Sequence, residues 1–159
     1  MNIFEALRND HDKQRKLVDA LIQTKGDTKK RHSLMDELKT ELEEHAKFEE
    51  RYFYNPLICE DLTQEKARHS VAEHHEIDEL IEQLEDTEMS SSAWLVEAKK
   101  LHHLVHHHLD EEEHEVFQLA GKALSEGQKR ALRRQIQRRN ALIVKVRIHT
   151  PPCVLLVIS

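Results

Sequence analysis

The sequence predicts an all-α protein, an antiparallel up-down-up-down four-helix bundle with a basic C-terminal extension. Three observations lead there. Of 159 residues, 34% are charged while Gly and Pro number three each, a profile that suits long helices and leaves few turn residues for a sandwich or barrel. Apolar residues recur at steps of three and four in four separate stretches, the period of a helix with one buried face. The connections between them are short, which favours antiparallel neighbours, and the total length is that of one domain.

The first helix is expected from about Ile3 to Thr24 on the stripe Phe4, Leu7, Val18 and Leu21, with Gly26 as its stop. The second begins near Thr28, carries Leu34, Leu38, Leu42 and Tyr52 or Phe53, and breaks at Asn55-Pro56. The third starts after Thr63 as N-cap and keeps Val71, Ile77, Ile81 and Leu84 inward. The fourth follows the serine run and uses Trp94, Ala98, Leu101, Val105, Val116 and Leu119. These helices make a bundle domain of residues 1–124.

Residues 125–159 form the extension. Ser125 to Gln128 reads as a capping box opening a short fifth helix, and the chain from Ala141 onward turns irregular or β-prone around Pro151-Pro152. Residues 1–126 hold 30 acidic and 16 basic side chains, whereas the chain beyond Glu126 has eight Lys or Arg and no acid. The expectation is a solvated tail lying against an acidic bundle, with an anion contact or a homodimer as alternatives. No basic stretch interleaved with aromatics supports nucleic-acid binding.

Cys59 and Cys153 are far apart with no CxxC, and the N-terminal stretch lacks a basic segment followed by an apolar one. No apolar run approaches the roughly 20 residues of a membrane span. A cytoplasmic protein with no membrane partner is expected.

Thirteen histidines are the compositional oddity. Four of them, His11, His45, His74 and His108, fall one per helix on the apolar stripe. Two are followed four residues later by a glutamate on the same face, giving the pairs His45/Glu49 and His108/Glu112. A carboxylate inside an apolar bundle costs several kcal/mol unless a cation compensates it. With no Lys or Arg on the stripes, the compensating charge is expected to be bound metal. Two bridging glutamates and two histidines per ion give each of two metals four protein ligands. Nitrogen and carboxylate donors without thiolate suit iron, manganese or zinc. Zinc could stop at four ligands; iron prefers more and leaves room for a bridging hydroxide and an exchangeable small molecule. His102, His103, His106 and His107 project with Lys99, Lys100, Asp110 and Glu111 as a solvated face, and His32, His69, His75 and His114 are read likewise. The Glu-x-x-His pairs of ferritin-like carboxylate sites are missing from the stripes.

Over residues 3–124 the chain resembles the hemerythrin-like family of HHE cation-binding domains. The resemblance rests on "NDHD" around His11, "HAKFEERYFYNP" from His45, "AEHHEID" around His74 and "HHLDEEEHEVF" around His108. The second and fourth segments each repeat HxxxE with an aromatic nine after the histidine, Tyr54 and Phe117. The resemblance implies two non-haem iron ions with a bridging oxo or hydroxo group, held by His11, His45, Glu49, His74, His108 and Glu112, both glutamates bridging. Oxygen-carrying members have a second histidine where Ser70 stands, and an aspartate where Glu113 stands beside Glu112, so reversible oxygen transport is not implied. Water, Glu73 or His69 are candidates for the missing ligand.

The expected function is therefore a di-iron protein that binds or reduces dioxygen, peroxide or nitric oxide at an open iron position, with peroxide- or nitric-oxide-directed redox activity left open. The alternatives are an iron or oxygen sensor, or iron-handling module, without turnover, and a zinc-stabilised structural bundle.

Overall fold

The computed structural model describes residues 1–149, and among these all regular structure is helical. Helix α1 spans Ile3–Ile22, α2 Lys29–Phe48, α3 Tyr54–Ile58, α4 Gln64–Asp86, α5 Ser92–Glu111, α6 Phe117–Ala123 and α7 Glu126–His149. Five-residue π-helical turns, Glu49–Phe53 and Glu112–Val116, join α2 to α3 and α5 to α6.

Local chemistry sets the helix starts. Asn2 and Glu5 form a reciprocal capping box at α1, Thr28 caps α2 through the Arg31 amide, and Ser91 caps α5 through the Trp94 amide. Ser125 and Gln128 close the expected capping box at α7, with bonds of 2.8 and 3.2 Å. Thr63 stands at the N-cap of α4, but its hydroxyl donates to the Leu57 carbonyl at 2.6 Å instead of capping.

Helix α1 packs on α2 and α5, and α4 packs on α5 and touches α2. The contacts between α1 and α2 come in reverse order along the chain: Thr24 meets Arg31, Lys13 meets Glu41 and Asp10 meets His45. The same reversal relates α1 to α5, where Arg15 meets Glu113 and Asp19 meets His102. Two apolar clusters fill the interior. One gathers Ile3, Leu7, Phe48, Phe53, Tyr54, Phe117, Leu132 and Ile136; the other gathers Val18, Leu21, Leu38, Ile77, Ile81, Trp94, Leu101 and Val105. On each of α1, α2, α4 and α5 the stripe histidine falls where one cluster gives way to the other. At the far end of the second cluster Arg31 is buried, with its guanidinium 4.4 Å from the Trp94 ring and bonded to Thr24 and the Met89 carbonyl. An inward arginine therefore exists, but it closes the end of the bundle and not its centre.

Three expectations need correction. The second helix does not end at Asn55-Pro56. A π turn intervenes, and Pro56 falls in the first turn of α3, where a missing N–H costs no internal bond. The stripe of the fourth helix also shifts by one residue: Leu119 is partly exposed while Phe117 and Ala120 are buried. A π turn adds one residue to the helical period, which moves every later side chain round the axis. Finally, the extension is not a short helix followed by β-prone chain from Ala141. A 24-residue helix runs to His149, and Leu132 and Ile136 at i,i+4 are buried in the first cluster. Residues 150–159, with Pro151-Pro152 and Cys153, lie outside the described residues.

Candidate metal centre

All six residues singled out from the sequence meet in the polar layer between the two clusters. His11 comes from α1, His45 from α2, His74 from α4 and His108 from α5, while Glu49 and Glu112 each open a π turn. All are buried, and both glutamates are fully so. They form two overlapping groups. Donor atoms of His11, His45, Glu49 and Glu112 lie within 4.8 Å of one another, as do those of Glu49, His74 and His108. Glu49 belongs to both. Its Oε1 faces His45 Nε2 at 2.8 Å and His11 Nε2 at 3.9 Å, and its Oε2 faces His74 Nε2 at 3.3 Å. Glu112 Oε2 lies 3.2 Å from His11 Nε2 and 3.9 Å from His108 Nε2.

The donor set fits a metal. Both oxygens of Glu49, Oε2 of Glu112 and the Nε2 atoms of His74 and His108 are buried without a partner in hydrogen-bonding geometry. Buried polar atoms are almost always satisfied. Orphan lone pairs from two acids and two imidazoles pointing at one another are therefore the signature of a site meant for cations. Burial works against charge on His74, but the Glu49 and Glu50 carboxylates raise its pKa to about 10. Burial likewise opposes charge on Glu49, yet His45, His11 and His74 hold it well below the usual carboxylate range.

Behind the four imidazoles lies a feature that the sequence reading missed. Each turns Nε2 inward and gives Nδ1 to a carboxylate on another helix segment. His11 pairs with Glu113 at 2.7 Å, His45 with Asp10 at 3.0 Å, His74 with Glu50 at 2.9 Å and His108 with Glu73 at 3.2 Å. Every one of these acids is the sequence neighbour of an inward residue: Asp10 precedes His11, Glu50 follows Glu49, Glu73 precedes His74 and Glu113 follows Glu112. Yet each serves the histidine of a different segment, so the pairs run as a closed ring around the bundle. Such partners fix the tautomer and aim of a ligating imidazole and raise its basicity. Glu73 thus stands behind His108, and Glu113 behind His11, neither pointing into the inner group.

Two further groups belong here. The Tyr54 phenol is buried and donates to Glu112 Oε1. The basic extension is not peripheral either: Arg139 of α7 bonds Asp10 at 2.5 Å and covers the Phe48 ring at 5.1 Å. A cavity of about 10 Å³, roughly one water in size, is lined by Gln14, Leu42, His45, His74, Ile77 and His108. The Gln14 amide nitrogen is buried without a partner.

The off-stripe histidines stay outside the layer. His32 bonds Asp27, His75 faces Glu79, His114 bonds the Asp110 carbonyl, and His102 and His106 both bond Asp19.

These elements define a helical protein with paired histidine-carboxylate clusters able to hold metal cations. The sequence profile of the hemerythrin HHE cation-binding domain matches residues 2–120, and the chain belongs to that family. It is similar in structure to a hemerythrin HHE cation-binding-domain-containing protein from Mycobacterium kansasii, with a TM-score of 0.76, 21% identity and 94% of each chain covered. At that identity the likeness speaks to the fold alone. No curated protein matches the chain. Among the described residues no helix is long and apolar enough to cross a membrane.

Proposed function

We propose that this chain is an up-down-up-down four-helix bundle carrying two non-haem iron ions, and that it binds or reduces a small oxidant such as dioxygen, peroxide or nitric oxide. The observation that supports it most is the set of orphan donors: Glu49 offers one oxygen to each group, which is what a bridging ligand requires. His11 and His45 with Glu49 and Glu112 would hold one ion, and His74 and His108 with the same two acids the other. When bound, the pair of irons supplies redox chemistry and a coordination position open to an exchangeable ligand.

The chain's own residues do the rest. The four outer carboxylates hold the imidazoles with Nε2 inward, which preorganises the site before metal arrives. Phe48, Phe53 and Phe117, together with the aliphatic side chains around them, keep bulk water from the centre. The small cavity beside His45, His74 and His108 has room for about one water, which restricts the approach to the smallest ligands. Gln14 supplies a hydrogen-bond donor at its wall. Tyr54, at the start of α3 just after the π turn that Glu49 opens, donates its phenolic O–H to Glu112 Oε1 and so orients that carboxylate.

A sensor without turnover is the second reading, favoured by Arg139. Through Asp10 it ties α7 to His45, so a change at the centre has a route to the C-terminal helix. Protein expressed in iron-replete medium, exposed in turn to peroxide, oxygen and nitric oxide, separates the readings. Repeated consumption with a changing visible spectrum supports the redox function, and a spectral change without turnover supports the sensor. A colourless protein that carries zinc would sink both.

A further inference from the structure

We infer that the outer corner between α4 and α5 is a second, separate metal site, built by His69, Glu73 and Glu111 with His107 beside them, for a divalent transition-metal ion of the zinc class. The first reason is a contrast among the ring's outer carboxylates. Asp10 is neutralised by Arg139 at 2.5 Å and Glu113 by Arg15 at 2.9 Å. Glu73 is more deeply buried than either, with only 5% of its side chain exposed. Among the described residues the side chains that face it in ion-pair range are all histidines, His108, His69 and His107. At this corner two imidazoles stand where the guanidinium would be, and a second acid, Glu111, adds negative charge beside them.

The second reason is distance. His69 Nε2 lies 3.5 Å from Glu73 Oε1 and 3.3 Å from Glu111 Oε2. His107 Nε2 lies 3.7 Å from Glu73 Oε2 and 3.4 Å from Glu111 Oε2. The direct imidazole-carboxylate hydrogen bonds of the ring are shorter, at 2.7–3.2 Å. Ligands at about 2.0–2.2 Å from a tetrahedral zinc ion are instead separated by about 3.3–3.6 Å. The His69, Glu73 and Glu111 donor atoms all lie within 4.8 Å of one another; His107 faces the same two acids but stands outside that close group. The other surface triad behaves differently. His102 and His106 approach Asp19 at 2.7 and 2.8 Å, as ordinary hydrogen bonds that already satisfy all three groups.

The third reason is access. His69 and His107 are more than half exposed while Glu73 and Glu111 sit behind them, so an ion meets imidazole first and carboxylate second. His69/Glu73 on α4 and His107/Glu111 on α5 are both i,i+4 pairs, and each can grip from one side. Lys66 takes Glu111 Oε1 at 3.3 Å and leaves Oε2 for the ion. Imidazole and carboxylate donors together suit zinc, and iron or nickel less tightly in this geometry.

The test uses the full-length protein with its centre loaded as purified. Zinc and cobalt(II) uptake are measured by equilibrium dialysis and by the cobalt visible bands in wild type, His69→Ala/His107→Ala, Glu111→Gln and His102→Ala/His106→Ala. Wild type and His102→Ala/His106→Ala should take up one more equivalent than His69→Ala/His107→Ala and Glu111→Gln, with tetrahedral cobalt bands that the latter two lack. Circular dichroism should be unchanged in all four. Equal uptake in wild type and His69→Ala/His107→Ala would overturn the proposal, as would loss only in His102→Ala/His106→Ala. A failure of the central di-iron reading changes the total in every variant alike and leaves this difference intact.

Discussion

Replacing Glu49 by Gln removes the one side chain that belongs to both inner groups while keeping its volume. The carboxylate is fully buried, and its two oxygens face His45 at 2.8 Å and His74 at 3.3 Å. Loss of a partner that merely orients a ligand costs about 10- to 100-fold in metal affinity. Glu49 would touch both ions directly, so a loss of at least about 100-fold is expected, or about 2.8 kcal/mol at tenfold per 1.4 kcal/mol. Because metal stabilises the folded state by mass action, that loss appears in the melting temperature. For a chain of this length 1 kcal/mol corresponds to about 2–4 °C, so the gap in Tm between metal-loaded and chelated protein should shrink by roughly 6–11 °C. The gap, and not the absolute Tm, is the right quantity, since any effect of the amide on packing enters both forms. Paired thermal scans with and without chelator measure it, and His103→Ala on the exposed face is the control. If Glu49→Gln kept the full gap, or if His103→Ala lost as much, the carboxylate would not be a metal ligand.

Three other perturbations probe the surroundings. Asp10→Asn leaves the inner donors intact but weakens the hold on His45 Nδ1; metal affinity should fall about 10- to 100-fold in a chelator competition, and unchanged affinity would deny the ring its role. Gln14→Leu should leave metal content unchanged while altering the spectrum of the nitric-oxide or peroxide complex, because only the cavity wall loses a donor; loss of metal would move Gln14 into the ligand set. Burial pushes the Glu113 carboxyl up, but His11 and Arg15 pull it down to about 2 from an ordinary 4.5. A depressed folded pKa gives stability that is present above the ordinary value and lost as pH falls from 4.5 through about 2. Glu113→Gln should flatten that part of the Tm against pH profile of the chelated protein, and an unaltered acid limb would contradict the pairing.

The six inner residues were legible because the local rule and the global fold agree at each of them. HxxxE on a helix puts both groups on one face, and a polar pair on an otherwise apolar stripe has few structural excuses. The π turns were not legible. A one-residue insertion leaves the same amino acids in the same order and shows only as a phase shift, as at Leu119 and Ala120, once the buried face is known. The ring of outer carboxylates left a trace, an acid beside each inner residue, but each acts on a neighbouring helix. Only tertiary structure reveals that pairing. The misreading of the C-terminal stretch has a different cause. Val, Ile and Leu have β propensity in isolation, but Leu132 and Ile136 at helical spacing anchor α7 earlier in the chain, and the helix propagates from them.

Elemental analysis of the full-length protein from iron-replete cells, paired with its visible absorption spectrum, bears most directly on the centre. Apart from any ion at the proposed α4–α5 corner, two irons per chain with a visible band are expected, and both should be lost in Glu49→Ala and Glu112→Ala. A metal-free protein from the same cells, or iron retained in both variants, would contradict a centre held by those acids and the four imidazoles.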